Sequence, residues 1–449
     1  MPTHDRRRTP EAGARRTSAL LGIVVAVVLG ALFFSAFTVM ADRTVGSGGG
    51  TQRMAYFADW NTANRGYTIK DVDDSGAAER LDRILWAFGD VSSEGLCHIP
   101  EDANQPWEIY QRRYDAADSV DGEADTYRQP LAGSLNQLRE LQDKYPDLAA
   151  SISLGGWNWS RYFSDAAATE ESRERFAASC VDLWLRGDLP RFEGEPQGGD
   201  GVAEGIFDGI DLDWEWPGGS GHPDNVERPE DGRNFTLLVQ EFRRQLDALG
   251  EETGEEYTLS ASLSHDEEIM RDGYEPEIFD SLDFATVQGY DFAGSWSETT
   301  DHHSQLYAPE GASDDTSADL AVRTYLDHGL PADKLVLGFP GYGRGWRGVQ
   351  PTGFGRYAQA QGAAEGDYGE GTDAYAVLEE RDGQRFFDPV NGAYWIYDGD
   401  EWWTYDTPEI VAMKGDYVLD KGLRGLVLWN LDMDPRGELV AAMDESLAG

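Results

Sequence analysis

The densest chemistry in this 449-residue chain lies in FDGIDLDWEWP, residues 207–217. Side chains alternate between faces along a β-strand, so Asp211, Asp213 and Glu215 share one face at spacings of roughly 6.5 to 7 Å. Ile210, Leu212 and Trp214 share the other. Like charges held that close raise one another's proton affinity. Glu215, nearest the end of the run, is therefore suited to keep a proton at working pH and to serve as a general acid. Two other readings compete. A solvated acidic strand end fits poorly with apolar residues interleaved at period two. A divalent ion could use three carboxylates, but the run contains no histidine and nothing else in it calls for a metal. No cofactor is expected.

A strand of this kind needs neighbours that bury it. Apolar runs of strand length recur at 54–58, 84–91, 149–154, 205–213, 257–262, 284–289, 334–340 and 425–429, each bounded by turn residues. Helical periodicity fills several intervals, at 134–144, 170–185, 233–249 and 317–329. Strands alternating with helices eight times over predict parallel βαβ units closed into a (β/α)8 TIM barrel, an α/β fold. Catalytic groups of such barrels sit at the C-terminal ends of the strands, where this spacing would put the three acids. Two connections are too long for the simple repeat. Residues 92–128 are polar and turn-rich; residues 347–403, rich in aromatics and glycine, read as a small α+β lobe inserted after strand 7. Thr407 as N-cap with Pro408 at the first helical position then opens a last helix before strand 8. The barrel is thus expected over 54–346 and 404–449.

With these blocks in place the chain resembles glycoside hydrolase family 18, the chitinases. The family signature Asp-Gly-x-Asp-x-Asp-x-Glu is met by Asp208, Gly209, Asp211, Asp213 and Glu215. Further blocks agree in order: Ser153, Gly155, Gly156 and Trp157 in SxGGW, QGYDFAGSW at 288–296, GFPGYGRGW at 338–346, and Trp429 in GLVLWN. The resemblance runs from about residue 54 to the C-terminus and includes the lobe of the deep-groove subfamily. It implies hydrolysis of β-1,4 bonds between N-acetylglucosamine units with retention, the substrate supplying the nucleophile in place of a second carboxylate. On that pattern Glu215 protonates the glycosidic oxygen while the 2-acetamido carbonyl attacks the anomeric carbon to give an oxazolinium ion. Asp213 hydrogen-bonds the acetamido N–H and stabilises the developing charge, and Asp211 shares a proton with Asp213. Tyr290 matches the residue that orients the acetamido carbonyl, Asp291 a sugar-hydroxyl contact, and Trp429 the floor under the −1 sugar. Tyr56 and Ser153 match positions that hydrogen-bond Asp211; Arg344, Trp157 and Trp296 match groove residues for flanking sugars. Gln288 stands where some members carry methionine.

Several of these residues also have a structural reading. Trp429 and Trp157 could be barrel core, Arg344 a partner for surface acids, and Tyr56 ordinary packing. Trp60, Trp159, Trp402 and Trp403 read either as groove or lobe surface or as structural aromatics, which the sequence does not rank, and His302-His303 reads as an exposed loop. Two further functions are open: an endo-β-N-acetylglucosaminidase or peptidoglycan-directed glucosaminidase, and a non-catalytic chitin-binding lectin. The lectin reading is weakened by the presence of Glu215, which such relatives lose.

Composition bounds the partners. The chain has 37 Lys plus Arg against 83 Asp plus Glu, a net charge of −46, which excludes a nucleic-acid partner. With 40% hydrophobic and 12% aromatic residues it is not a disordered acidic chain. Acidity of this degree fits a salt-rich habitat, where screening relieves self-repulsion; an acidic secreted enzyme is the other reading. Residues 1–41 combine Arg6, Arg7, Arg8, Arg15 and Arg16 with an uncharged run over 17–41. That pattern reads as an export signal, or, uncleaved, as a membrane tether through 17–41. Both place the rest of the chain outside the cytoplasm. A Gly-rich linker over 42–53 follows. The two cysteines, Cys97 and Cys180, are either a disulfide, favoured by export, or two free thiols. The expected partner is chitin or chitooligosaccharides, met by a monomer.

Overall fold

The computed structural model describes residues 50–100, 105–192, 194–309 and 316–448. The expected export signal or tether (1–41) and residues 42–49 of the linker lie outside these.

Eight parallel strands form the barrel, each buried almost along its whole length: β1 (Gln52–Ala58), β2 (Arg83–Val91), β3 (Ala149–Gly155), β4 (Gly209–Asp213), β5 (Thr258–Leu263), β6 (Phe284–Val287), β7 (Leu335–Pro340) and β8 (Gly425–Trp429). Neighbours in sequence pair in order, and β1 pairs with both β2 and β8, which closes the ring. Near-continuous apolar sequence is what strands covered on both faces require. Outside the ring, helices present apolar stripes to it. Asp231–Thr253 buries Phe235, Leu238, Val239, Phe242 and Leu246, the i, i+3, i+4 spacing of one helical face. Their ends follow local rules: Ser317 accepts the Leu320 N–H to start Ala318–His328, and Gly329, at φ 108°, ends it. Thr407 and Pro408 open Pro408–Lys421 as the sequence suggests. Among the described residues no helix is long and apolar enough to cross a membrane.

The lobe is a six-stranded antiparallel sheet. Its strand Tyr342–Arg347 leaves the barrel directly after β7 and pairs with Gly362–Ala363, Thr372–Ala374 and Trp402–Tyr405. Ala393–Tyr397 and Gln384–Asp388 continue it outward. Its core is aromatic: Trp346, Trp395, Tyr397 and Trp402 pack together. Trp402 and Trp403 are fully buried, which settles them as structural aromatics: Trp402 joins this aromatic core and Trp403 the main core on the other face of the strand. The aromatic core also corrects the expectation for His302-His303. His302 lies between Trp395 and Trp402, at 5.2 and 5.3 Å between ring centroids, with its Nδ1 2.9 Å from the Thr404 hydroxyl. Burial disfavours its charged form and holds its pKa down to about 3. His303 is equally buried, against Tyr342.

The long connection after β2 is pinned at its start. Cys97, in a two-residue strand paired to the end of β2, is joined by a disulfide to Cys180 at the end of the helix Glu170–Cys180.

Candidate active site

The site is built on β4. Gly209 begins the strand where a Cβ would come within 2.6 Å of the Ser151 hydroxyl and 2.7 Å of the Thr258 carbonyl, so only glycine lets β3 and β5 approach here. Just before it, Asp208 pairs with Arg83, a buried cation that also donates to Ser151 (2.6 Å) and Thr258 (3.2 Å). The first acid of the run therefore anchors the base of the strand and takes no part in the groove.

Above that base the inward residues climb toward the mouth. Asp211 is fully buried and accepts hydrogen bonds from Ser153 (2.7 Å), Ser260 (2.6 Å) and Tyr56 (3.4 Å). Burial raises its pKa, and the three hydroxyls with Arg83 pull the other way. Asp213, also buried, is raised well above the usual range by burial and then by the neighbouring Asp211 charge, with Ser262 the one hydroxyl opposing. Its Oδ1 has no hydrogen-bond partner. Ile210, Leu212 and Trp214 face the helices, with Trp214 stacked on Phe163 at 5.5 Å.

Glu215 stands just beyond the strand. Its backbone is fixed on both sides, the N–H donating to Ser160 Oγ (2.9 Å) and the carbonyl accepting from Asn225 Nδ2 (2.7 Å). Burial, then the Asp213 and Asp291 charges, push its carboxyl well above the ordinary value. Both influences favour the protonated form of the carboxyl, the form that general acid catalysis would use.

Around these acids opens a groove of about 670 Å³, lined by Glu215, Asp213, Tyr290, Asp291, Gln288, Tyr56, Trp429, Trp157, Trp296 and Arg344. Of the residues singled out in the sequence, Asp211 and Ser153 lie below it, inside the barrel. Trp429 packs edge-on to Tyr56 (5.0 Å) and stacks on Phe88 (5.6 Å), so its ring closes the top of the barrel interior and floors the groove. Trp157 and Trp296 are 46% and 65% exposed, which rules out the core reading for Trp157. Trp60 and Trp159, which sequence could not rank, also line the groove and pack on one another at 5.5 Å.

Arg344 lines the groove, and the acid it pairs with belongs to the groove and not to the outer surface. From the lobe it forms two 2.8 Å hydrogen bonds to Asp291, Nε to Oδ1 and Nη2 to Oδ2, donates to Thr372, and carries its charge over the Trp296 ring at 5.2 Å. Burial alone would raise Asp291, but Arg344 and His303 outweigh it and hold that carboxyl below the ordinary range. Tyr290 is buried beside Tyr342, and burial raises its pKa, so its hydroxyl stays protonated and able to donate. Residues the sequence reading missed are the supports. The alternating serines of β5, Ser260 and Ser262, face the acids at period two and could have been found from that spacing; Ser160, Asn225 and Arg83 gave no local sign.

A protein-family model for glycosyl hydrolases family 18 matches residues 52–434. Chitinase 63 of Streptomyces plicatus is 35% identical over 410 residues, 89% of this chain and 61% of that protein. Chitinase C of Streptomyces lividans is 34% identical over 86% of this chain and 58% of its own length. The chain therefore spans about six-tenths of these curated relatives. The catalytic domain of psychrophilic chitinase B from Arthrobacter TAD20 superposes with a TM-score of 0.85 at 41% identity, covering 90% of this chain and 96% of that one.

Proposed function

We propose that this chain, which belongs to glycosyl hydrolases family 18, is a secreted chitinase that cleaves β-1,4 links between N-acetylglucosamine units with net retention. The observation that carries the reading is the ladder Asp211, Asp213, Glu215 rising from a sealed barrel interior into an aromatic groove, with proton affinity raised along it. Glu215 gives its proton to the glycosidic oxygen. The departing aglycone leaves positive charge at the anomeric carbon, which the substrate's own acetamido carbonyl traps as an oxazolinium ion. Asp213 Oδ1 accepts the acetamido N–H, and the Tyr290 hydroxyl donates to the carbonyl oxygen, aligning it for attack. Water deprotonated by Glu215 then opens the ring.

Two carboxylates influence Glu215: Asp213, whose burial disfavours the ionised form a nucleophile needs, and Asp291, both of whose oxygens are engaged by Arg344. That engagement argues against a protein nucleophile and for substrate assistance. Trp429, Trp157 and Trp296 offer flat apolar faces to the C–H faces of the sugars, and the −46 charge does not oppose an uncharged polymer. The disulfide and the Arg-rich, apolar start of the sequence support export.

The test is to incubate the protein with colloidal chitin, a defined N-glycopeptide and cell-wall material and to identify the products. Chitobiose released from chitin is expected. Glycopeptide or cell-wall cleavage without any chitin product would refute the assignment, and binding to chitin without hydrolysis would point to a lectin.

A further inference from the structure

Two aromatic rings of the lobe are packed on their inner sides only, Phe354 on Phe386 and Tyr357 edge-on to His302. Phe354 and Tyr357 are 58% and 44% exposed. Both also hold left-handed backbone, at φ 59° and 54°; among the described residues the one other non-glycine with positive φ is Asp291, in the active site. A bulky side chain in that region is strained and persists only where the surroundings over-determine it.

The surroundings here do so. The Trp395 indole donates to the Phe354 carbonyl (3.3 Å), Thr300 Oγ1 donates to the Gly355 carbonyl (2.5 Å), and the Ala358 N–H donates back to Thr300 Oγ1 (3.0 Å). Between the two aromatics, Arg356 is tied to Asp388 at 2.9 Å and lies over the Tyr357 ring at 4.9 Å. Phe386 supports Phe354 at 4.9 Å and itself stacks on Trp395 at 5.0 Å. These contacts hold the strained backbone and leave more than two-fifths of each ring residue exposed, 58% and 44%.

Their loop is also continuous with the groove wall. Thr299 bridges Gln359, the Ala360 N–H donates to the Glu298 carbonyl (2.8 Å), and the Trp346 indole donates to the Ser297 carbonyl (3.0 Å). These bonds fix the loop to the segment that starts at Trp296. From Trp296 to Thr300 the backbone spans at most about 14 Å, so the exposed rings begin within a few sugar units of the groove.

We propose that Phe354 and Tyr357 form a second carbohydrate platform that holds an uncharged β-linked N-acetylhexosamine polymer on the lobe, outside the catalytic groove. The assignment rests on the chitinase reading. Exposed ring faces suit pyranose C–H faces. Arg356 at the patch is paired with Asp388 and the net charge of −46 disfavours polyanions, so a neutral polysaccharide fits both the apolar rings and the charge.

The test compares Phe354→Ala/Tyr357→Ala with the parent chain. Partition onto insoluble chitin, measured in a Glu215→Gln background, should weaken about tenfold, two stacking contacts' worth, while kcat/KM on soluble chitotetraose in the Glu215 background stays close to the parent value. Phe354→Trp/Tyr357→Trp should restore partition. Unchanged partition of the alanine variant, with soluble turnover intact, overturns the platform alone. A concentration-dependent dimer abolished by the alanine pair, with partition unchanged, also overturns it and makes the patch a self-association surface. No cleavage of chitotetraose by the parent chain would instead refute the chitinase reading.

Discussion

Replacing Glu215 by glutamine isolates the proton from everything else the site does. The side chain keeps its size, and the backbone that positions it is held by Ser160 and Asn225, neither of which touches the carboxyl. The fold should therefore survive. A positioned general acid contributes typically about 10²- to 10⁴-fold, and here the same group must also activate water, so turnover of chitotetraose should fall by at least about 10³-fold. Stability should move the other way. The folded pKa of Glu215 lies above its unfolded value, so the folded state gains from this group at low pH and loses as pH rises from the unfolded pKa toward the folded one. Each unit of elevation costs about 1.4 kcal/mol above both values. A neutral amide removes that cost, and Tm at pH 8 should exceed that of the parent. Ligand binding should persist, and saturation at about 100 times Kd should stabilise the variant by roughly 2.7 kcal/mol. The assay pairs product chromatography with thermal melts with and without chitotetraose. Turnover within about tenfold of the parent would refute the acid assignment; a lost ligand shift would refute the separation of binding from proton transfer.

Asp213→Asn should cut turnover severely and, by removing a charge that raises Glu215, shift the alkaline limb of the kcat/KM profile to lower pH; an unmoved limb would show that the two groups are not coupled. Cys97→Ser/Cys180→Ser opens a loop of sequence separation 83, worth up to about 4.5 kcal/mol in the chain-entropy model. A fall in Tm of about 5 °C is expected, and mass spectrometry of the unreduced parent should find no free thiol. Because the net charge is −46, Tm should rise between about 0.05 and about 1 M NaCl as screening relieves repulsion. A monotonic fall would count against adaptation to salt.

What was legible in the sequence was what repeats or alternates. The eight strand runs fall within a few residues of the strands observed, because doubly covered parallel strands need continuous apolar sequence. The acids of β4 were legible because period two is strict. Contacts supplied by distant segments were not legible. His302 and His303 look like a polar loop until the lobe sheet, about a hundred residues later in the chain, covers them. Ser160 and Asn225 approach Glu215 from separate loops, and nothing in SRYF or PDNV announces that they fix its backbone. Trp402 and Trp403 stay unranked between surface and core for the same reason, since what covers each face of their strand comes from distant segments.

The three acids that climb the barrel above Arg83 are all raised by burial first, and in Asp213 and Glu215 by a neighbouring carboxylate next. Their proton affinity is therefore governed by groups close by in the barrel. Selection can then add or remove acids on the outer shell as salinity changes without retuning the reaction, because the two populations of carboxylates answer to different dielectrics. The chemistry is thereby set by burial inside the barrel and not by the charge of the outer surface.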